Sequence, residues 1–141
     1  HPLPTIEQTE TFCRDAWARY RDDEELALLL FTRDSGEFVG AAGLHQIDWS
    51  LRQFEVGYWL RSSATGQGLA SEATRALADF TLQHLRATRV WLAMDSRNLR
   101  SAAVAERAGF LREGTLRNER LDTQGHLRDT TIYSRVPTRR S

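Results

Sequence analysis

The sequence is poor in several things that would otherwise dominate its reading. A single cysteine, Cys13, in 141 residues leaves no internal disulfide and no cysteine-rich metal site, a usage that suits a reducing cytosol. Neither sign of charge prevails: 19 Lys and Arg stand against 19 Asp and Glu, so no global field calls for nucleic acid or a membrane as partner. The longest unbroken aliphatic-aromatic run, Leu26 to Phe31, is far too short to cross a bilayer, which takes about 20 residues. The opening residues carry no secretory-signal pattern, and no repeat, low-complexity tract or internal linker interrupts the chain. The expectation is a cytoplasmic, single-core domain over residues 1–141, because that length suits one domain rather than two.

What is present is organised around Thr65-Gly66-Gln67-Gly68-Leu69-Ala70-Ser71. A strand-like run, Gln53 to Leu60, leads in, and a helix-like run, Gln67 to about Arg86, leads out. Glycines at this junction leave the first backbone N–H groups uncovered by side chains. Those donors have no partner within the helix, and the helix dipole adds positive charge beside them. The combination seats an anion, such as a phosphate or pyrophosphate.

The rest of the chain places this loop in the middle of an α/β pattern. Thr5 to Arg21 reads as an amphipathic helix capped by Thr5, with Ile6, Phe12, Cys13, Trp17 and Tyr20 near one face. Strands follow at Glu25 to Arg33, Glu37 to Gln46 and Gln53 to Leu60, with Asp34-Ser35-Gly36 as the first turn, giving an antiparallel meander. The long helix is expected to face the core with Leu69, Ala73, Ala76, Leu77 and Phe80. Arg89 to Met94 reads as a strand buried on both faces, joined to the third strand by a right-handed parallel crossover. Asn98 caps a short helix from Leu99 to Ala108, which Gly109 ends. Two last strands, Phe110 to Arg117 and Thr130 to Val136, are joined through Asp122-Thr123-Gln124-Gly125.

Two phosphate-binding folds compete for the loop. A dinucleotide-binding domain also uses Gly66-x-Gly68 before a helix, and Asp95 closes the next strand as a ribose-binding acid does. Against it, Ser71 replaces the third glycine, and the loop follows three antiparallel strands instead of opening a parallel series. A nucleoside triphosphatase lacks its lysine, since Leu69 follows the second glycine.

Three ordered motifs point elsewhere. They are Glu55-x-Gly57-Tyr58-Trp59-Leu60, then Gly66-Gln67-Gly68-Leu69-Ala70-Ser71-Glu72-Ala73, then Asn98-x-x-Ser101-x-x-Val104-Ala105-Glu106-Arg107-x-Gly109-Phe110-x-x-Glu113-Gly114. Together they resemble the GNAT superfamily of N-acetyltransferases. The closing Leu116-Arg117 … Gly125 … Asp129-x-x-x-Tyr133 is similar to its ribosomal-protein N-terminal acetyltransferase branch. The resemblance covers nearly everything from about residue 25 onward. It implies a GNAT-type acyltransferase fold, a mixed and mostly antiparallel splayed sheet flanked by helices. It also implies a first strand and first helix ahead of His1, so the chain reads as truncated at its N-terminus.

The resemblance further implies acetyl-CoA as co-substrate, no metal, and direct transfer to a primary amine in a ternary complex. The acceptor is a ribosomal or other protein N-terminus, with polyamines, antibiotics and other small amines as alternatives; a homodimer is left open. A non-catalytic CoA- or nucleotide-binding module is the alternative of a different class. The pyrophosphate is assigned to Gly66, Gln67, Gly68, Leu69, Ala70 and Ser71, and the pantetheine arm to the strand end Tyr58, Trp59 and Leu60. Thr65 departs from the family's Arg or Gln, so its side chain is not expected to reach the phosphates. The tyrosine that many members use to protonate the thiolate would fall at Ala105. Ser101 is its substitute, with Asn98 beside the cofactor and Arg107 near the nucleotide phosphate. Strand alternation puts Glu55, Gly57 and Trp59 on one face, making Glu55 the leading candidate for the base that deprotonates the amine. Glu119 and Glu113 are its reserves.

Overall fold

The computed structural model describes residues 25–66 and 68–138. The expected first helix, with Cys13, and Gln67 of the glycine loop lie outside these residues. The described elements are β1 (Leu26–Phe31), β2 (Phe38–Asp48), β3 (Gln53–Leu60), a 3-10 turn (Ser62–Ala64), α1 (Leu69–His84), β4 (Arg89–Asp95), α2 (Leu99–Arg107), β5 (Leu111–Leu121) and β6 (Leu127–Arg135). The strands form one sheet in the order β1-β2-β3-β4-β6-β5. Every neighbouring pair is antiparallel except β3 and β4, which run parallel and are linked through α1. The mixed, mostly antiparallel sheet with flanking helices is therefore as expected.

Alternation explains which face is buried. In β3, Phe54 and Val56 are buried while Trp59 is exposed. The neighbouring strands add Leu44, Val90 and Leu92 to the same face, and Ala78, Ala105, Ala108 and Phe110 close the core from the helical side. Phe54 has no exposed surface and packs edge-on against Trp49, with ring centroids 5.3 Å apart.

Three expectations are corrected. The expected stripe Leu69, Ala73, Ala76, Leu77 and Phe80 is not the buried face of α1; Thr74, Leu77, Ala78 and Thr81 are. Only Leu77 belongs to both sets. Thr81 can be buried because its hydroxyl donates to the Leu77 carbonyl at 2.6 Å, satisfying it within the helix. Ala73, Ala76 and Phe80 instead border a groove beside Leu26, Leu28 and Leu30. Second, β4 is buried on one face only, through Val90, Leu92 and Met94. Its other face carries Trp91 with the Arg89 guanidinium 5.5 Å from the ring centroid.

The third correction concerns the last hairpin, whose strands reach much closer to the turn than the apolar pattern suggested. Asp122 makes this possible. Its carboxylate accepts from the Gln124 and His126 N–H groups, both at 2.9 Å, while Gly125 adopts φ +81°. The added strand residues are mostly exposed, so they leave no core signature in the sequence.

Candidate active site

The parallel pair that joins the two halves of the sheet is very short. Only Gln53–Arg89, Phe54–Val90 and Glu55–Trp91 are in register, after which β3 and β4 part. Beyond Glu55, the side of β3 toward β4 has no strand partner among the described residues. Its last residues, Tyr58 to Leu60, paired with β2 on one side, border a cavity of about 760 Å³ on the other.

The glycine loop forms one wall of that cavity. Gly66 and Gly68 hold φ of +79° and +75°, a left-handed conformation that glycine adopts without strain. Gly68 is the N-cap of α1 and supplies no side chain to cover the first turn. Leu69, Ala70 and Ser71, the first three helical residues, line the same wall, so the helix end and its dipole face the space. The Ser71 hydroxyl oxygen is buried and has no hydrogen-bond partner among the described residues. Bare N–H groups and an unpartnered hydroxyl are the chemistry that receives phosphate oxygens. Thr65 does turn away: its hydroxyl donates to the Ser62 carbonyl at 2.8 Å.

The opposite wall is the start of α2. Asn98 caps this helix, accepting from the Ser101 N–H at 3.1 Å, which fixes Ser101 one turn into the helix. Asn98, Ser101 and Arg107 all line the cavity. The Tyr58 hydroxyl reaches across from β3 and donates to the Ser101 oxygen at 3.3 Å. Ala105 has no exposed surface and belongs to the core. The resemblance had given Tyr58 only a backbone role. Its side-chain contact depends on how α2 packs over β3, which no local pattern reveals.

The structure separates the three candidate carboxylates. Glu55 lies at the junction where β3 and β4 part, on the sheet face away from Phe54 and Val56. Burial raises its pKa above the ordinary carboxylate value, with His45 and Arg120 pulling the other way. Glu113 is held by an ion pair with Arg89, and that bond keeps its pKa low. Glu119 accepts from the Thr130 hydroxyl at 2.9 Å and from Arg120 at 3.0 Å, and these contacts also lower its pKa. Glu55 is thus the carboxylate whose proton affinity is increased. Among the described residues no group of three or more His, Cys, Asp or Glu is arranged to hold a metal ion.

A second cavity, of about 370 Å³, lies along β1, β2 and β3 and shares Tyr58 and Trp59 with the first. His45 lines it. Its ring occupies the place a side chain at Gly57 would take: a Cβ there would lie 2.2 Å from His45 Nε2. Sequence reasoning did not single out His45, because its position follows from the β2–β3 register.

Known proteins bear on this arrangement. Residues 1–111 match the family described as acetyltransferase (GNAT) domain. YdaF of Bacillus subtilis (strain 168), provisionally named a ribosomal N-acetyltransferase, is 35% identical over 99 residues, covering 70% of this chain and 54% of its own. The ribosomal-protein-serine acetyltransferase of Escherichia coli (strain K12) is 31% identical over 108 residues, 77% of this chain and 59% of its own. This chain therefore spans under two thirds of the length of either relative. A solved structure described as a probable acetyltransferase, 30% identical, superposes with a TM-score of 0.78 over 96% of this chain and 74% of the other.

Proposed function

The chain belongs to the GNAT acetyltransferase domain family, and from that membership we propose that it transfers the acetyl group of acetyl-CoA directly to a primary amine. The observation that carries the proposal is the unpaired end of β3 and the bare N-terminus of α1 meeting in one cavity. A ligand that combines a pyrophosphate with an amide-bearing arm matches both surfaces at once.

In this reading the first-turn N–H groups of α1 and the Ser71 hydroxyl hold the pyrophosphate. The backbone of Tyr58 to Leu60 pairs with the amides of the arm, and an N–H there polarises the thioester carbonyl as charge develops on its oxygen. Arg107 lies toward the nucleotide phosphate. The amine nitrogen attacks the carbonyl carbon after losing a proton, and the carbon–sulfur bond breaks. Ser101 donates its proton to the departing sulfur and recovers one along the hydrogen bond from Tyr58, which is reprotonated from solvent, while the nitrogen sheds its second proton to solvent on becoming an amide. Glu55, with the raised pKa, belongs to the proton-accepting side of the reaction.

For the acceptor we propose a protein N-terminus. Support comes from the names of the two relatives above, one a ribosomal N-acetyltransferase by its provisional name and the other a ribosomal-protein-serine acetyltransferase. The test is a thiol-release assay with acetyl-CoA, run against peptides with free and with blocked amino termini and against polyamines. Turnover only with free peptide termini is the expected result. Turnover only with polyamines moves the acceptor to small molecules, and CoA binding without turnover leaves a binding module.

A further inference from the structure

Glu55 lines neither of the two cavities that meet at Tyr58 and Trp59. His45 does line the second. It is the cross-strand partner of Glu55, so both side chains project from the same face of the sheet. Because Gly57 has no side chain, the imidazole lies over it, and Gly57 is two residues beyond Glu55, where β3 has already left β4. His45 therefore stands nearer than Glu55 to the unpaired end of β3. Among the described residues its imidazole makes no hydrogen bond.

We propose that His45 is the group that takes the proton from the acceptor amine, and that Glu55 acts behind it. The proposal rests on the acetyl-transfer reading and adds a catalytic residue to it. The step balances simply. An N–H bond of the acceptor ammonium breaks, the proton goes to the lone pair of Nε2, and the freed nitrogen pair attacks the thioester carbon. The imidazolium then releases its proton to solvent, and the attacking nitrogen, positively charged once the new bond forms, sheds its second proton to solvent as the carbon–sulfur bond breaks and the sulfur is protonated. Glu55 makes no direct ion pair with His45 and stabilises the imidazolium through space; their mutual attraction also opposes the effect of burial on the carboxylate. The charged and titratable groups around the pair are Glu25 from the start of β1, Tyr58 on β3 and Arg120 on β5. An imidazole suits the task because one ring nitrogen can accept a proton through its lone pair while the other carries the N–H.

The experiment measures kcat/KM against pH for wild type, His45→Gln, His45→Ala, Glu55→Gln and Gly57→Ala, with acetyl-CoA affinity by calorimetry for each. Gly57→Ala is the geometric test: its Cβ must displace the imidazole, the movable end of a side chain, without touching another backbone. His45→Gln and Gly57→Ala are expected to lose at least about tenfold in kcat/KM and to flatten the acidic limb, with acetyl-CoA binding unchanged. Exogenous imidazole should restore part of the activity to His45→Ala and none to Glu55→Gln. An acidic limb that survives in His45→Gln but disappears in Glu55→Gln overturns the proposal, because Glu55 then takes the proton directly. A wild-type protein that binds acetyl-CoA yet turns over no amine overturns the acetyl-transfer reading itself, a result distinct from the failure of His45 alone.

Discussion

Replacing Gly68 by valine tests the phosphate seat on both its sides, fold and ligand. Gly68 has φ +75°, and a Cβ built there meets no atom within 4 Å. The penalty is therefore conformational, not steric: an L-residue held in this region costs roughly 1–2 kcal/mol. For a domain of this size that lowers Tm by about 5 °C, so the variant stays folded at 25 °C. The ligand feels a different cost. If the loop keeps its shape, two methyl groups stand in the space the phosphates need. If it relaxes, the N–H groups of Leu69 and Ala70 point elsewhere. Each charge-assisted hydrogen bond lost removes about 1.5–3 kcal/mol, so CoA affinity should fall at least about tenfold. Calorimetry of CoA beside acetyl-pantetheine, which has no pyrophosphate, gives the comparison. CoA should weaken and acetyl-pantetheine should not. Equal weakening of both, or no weakening of either in a folded variant, refutes the seat.

Three further predictions follow from the same geometry. Ser101→Ala should lower kcat about tenfold or more with little change in acetyl-CoA affinity, and Tyr58→Phe should do the same to a smaller degree; steady-state kinetics beside calorimetry decides. Burial raises the pKa of Glu55 above its reference value of 4.5. The folded state therefore holds this proton more tightly than the unfolded state, and stability falls as pH rises through that interval. Glu55→Gln should be more stable than wild type at pH 7, with the gain gone below about pH 4, as read by denaturant titration at both pH values. Phe54→Ala should destabilise by about 3–5 kcal/mol, because a ring with no exposed surface leaves a cavity that the sheet and α1 cannot close; thermal unfolding measures it.

The parts of the fold that were legible in the sequence are those fixed by local chemistry. β3 could be bounded to the residue because strict alternation from Gln53 to Leu60 ends at connections on both sides. The glycine loop announced itself through residues that tolerate positive φ, and Asn98 through its preference for a cap. The buried face of α1 was misread because threonine ranks as polar, yet Thr81 hides its hydroxyl inside the helix. The partnership of His45 with Glu55 was invisible for another reason. It depends on the β2–β3 register, which shifts between His45 and Asp48, next to a non-glycine residue, Gln46, at φ +47°. Nothing local marks that shift. The proton affinities of Glu55, Glu113 and Glu119 diverge for the same kind of reason, since burial at Glu55, Arg89 beside Glu113 and Thr130 beside Glu119 all follow from how the strands assemble.

The early parting of β3 and β4 gives the sheet three edges in place of two. Among the described residues β1 and β5 form the outer edges. The third edge, the far half of β3, lies inside the sheet, with β2 behind it and β4 diverging in front. Nothing can add to it sideways; a partner must enter lengthwise from the open end and stop where Glu55 and Trp91 close the gap. The interior edge thus sorts its visitors by thickness and reach. A chain that must keep its own neighbours on both sides is turned away, while a single thin strand of amides can slide in. The same wedge shields a row of backbone groups without a strand partner among the described residues from the open-ended strand addition to which an outer edge is exposed.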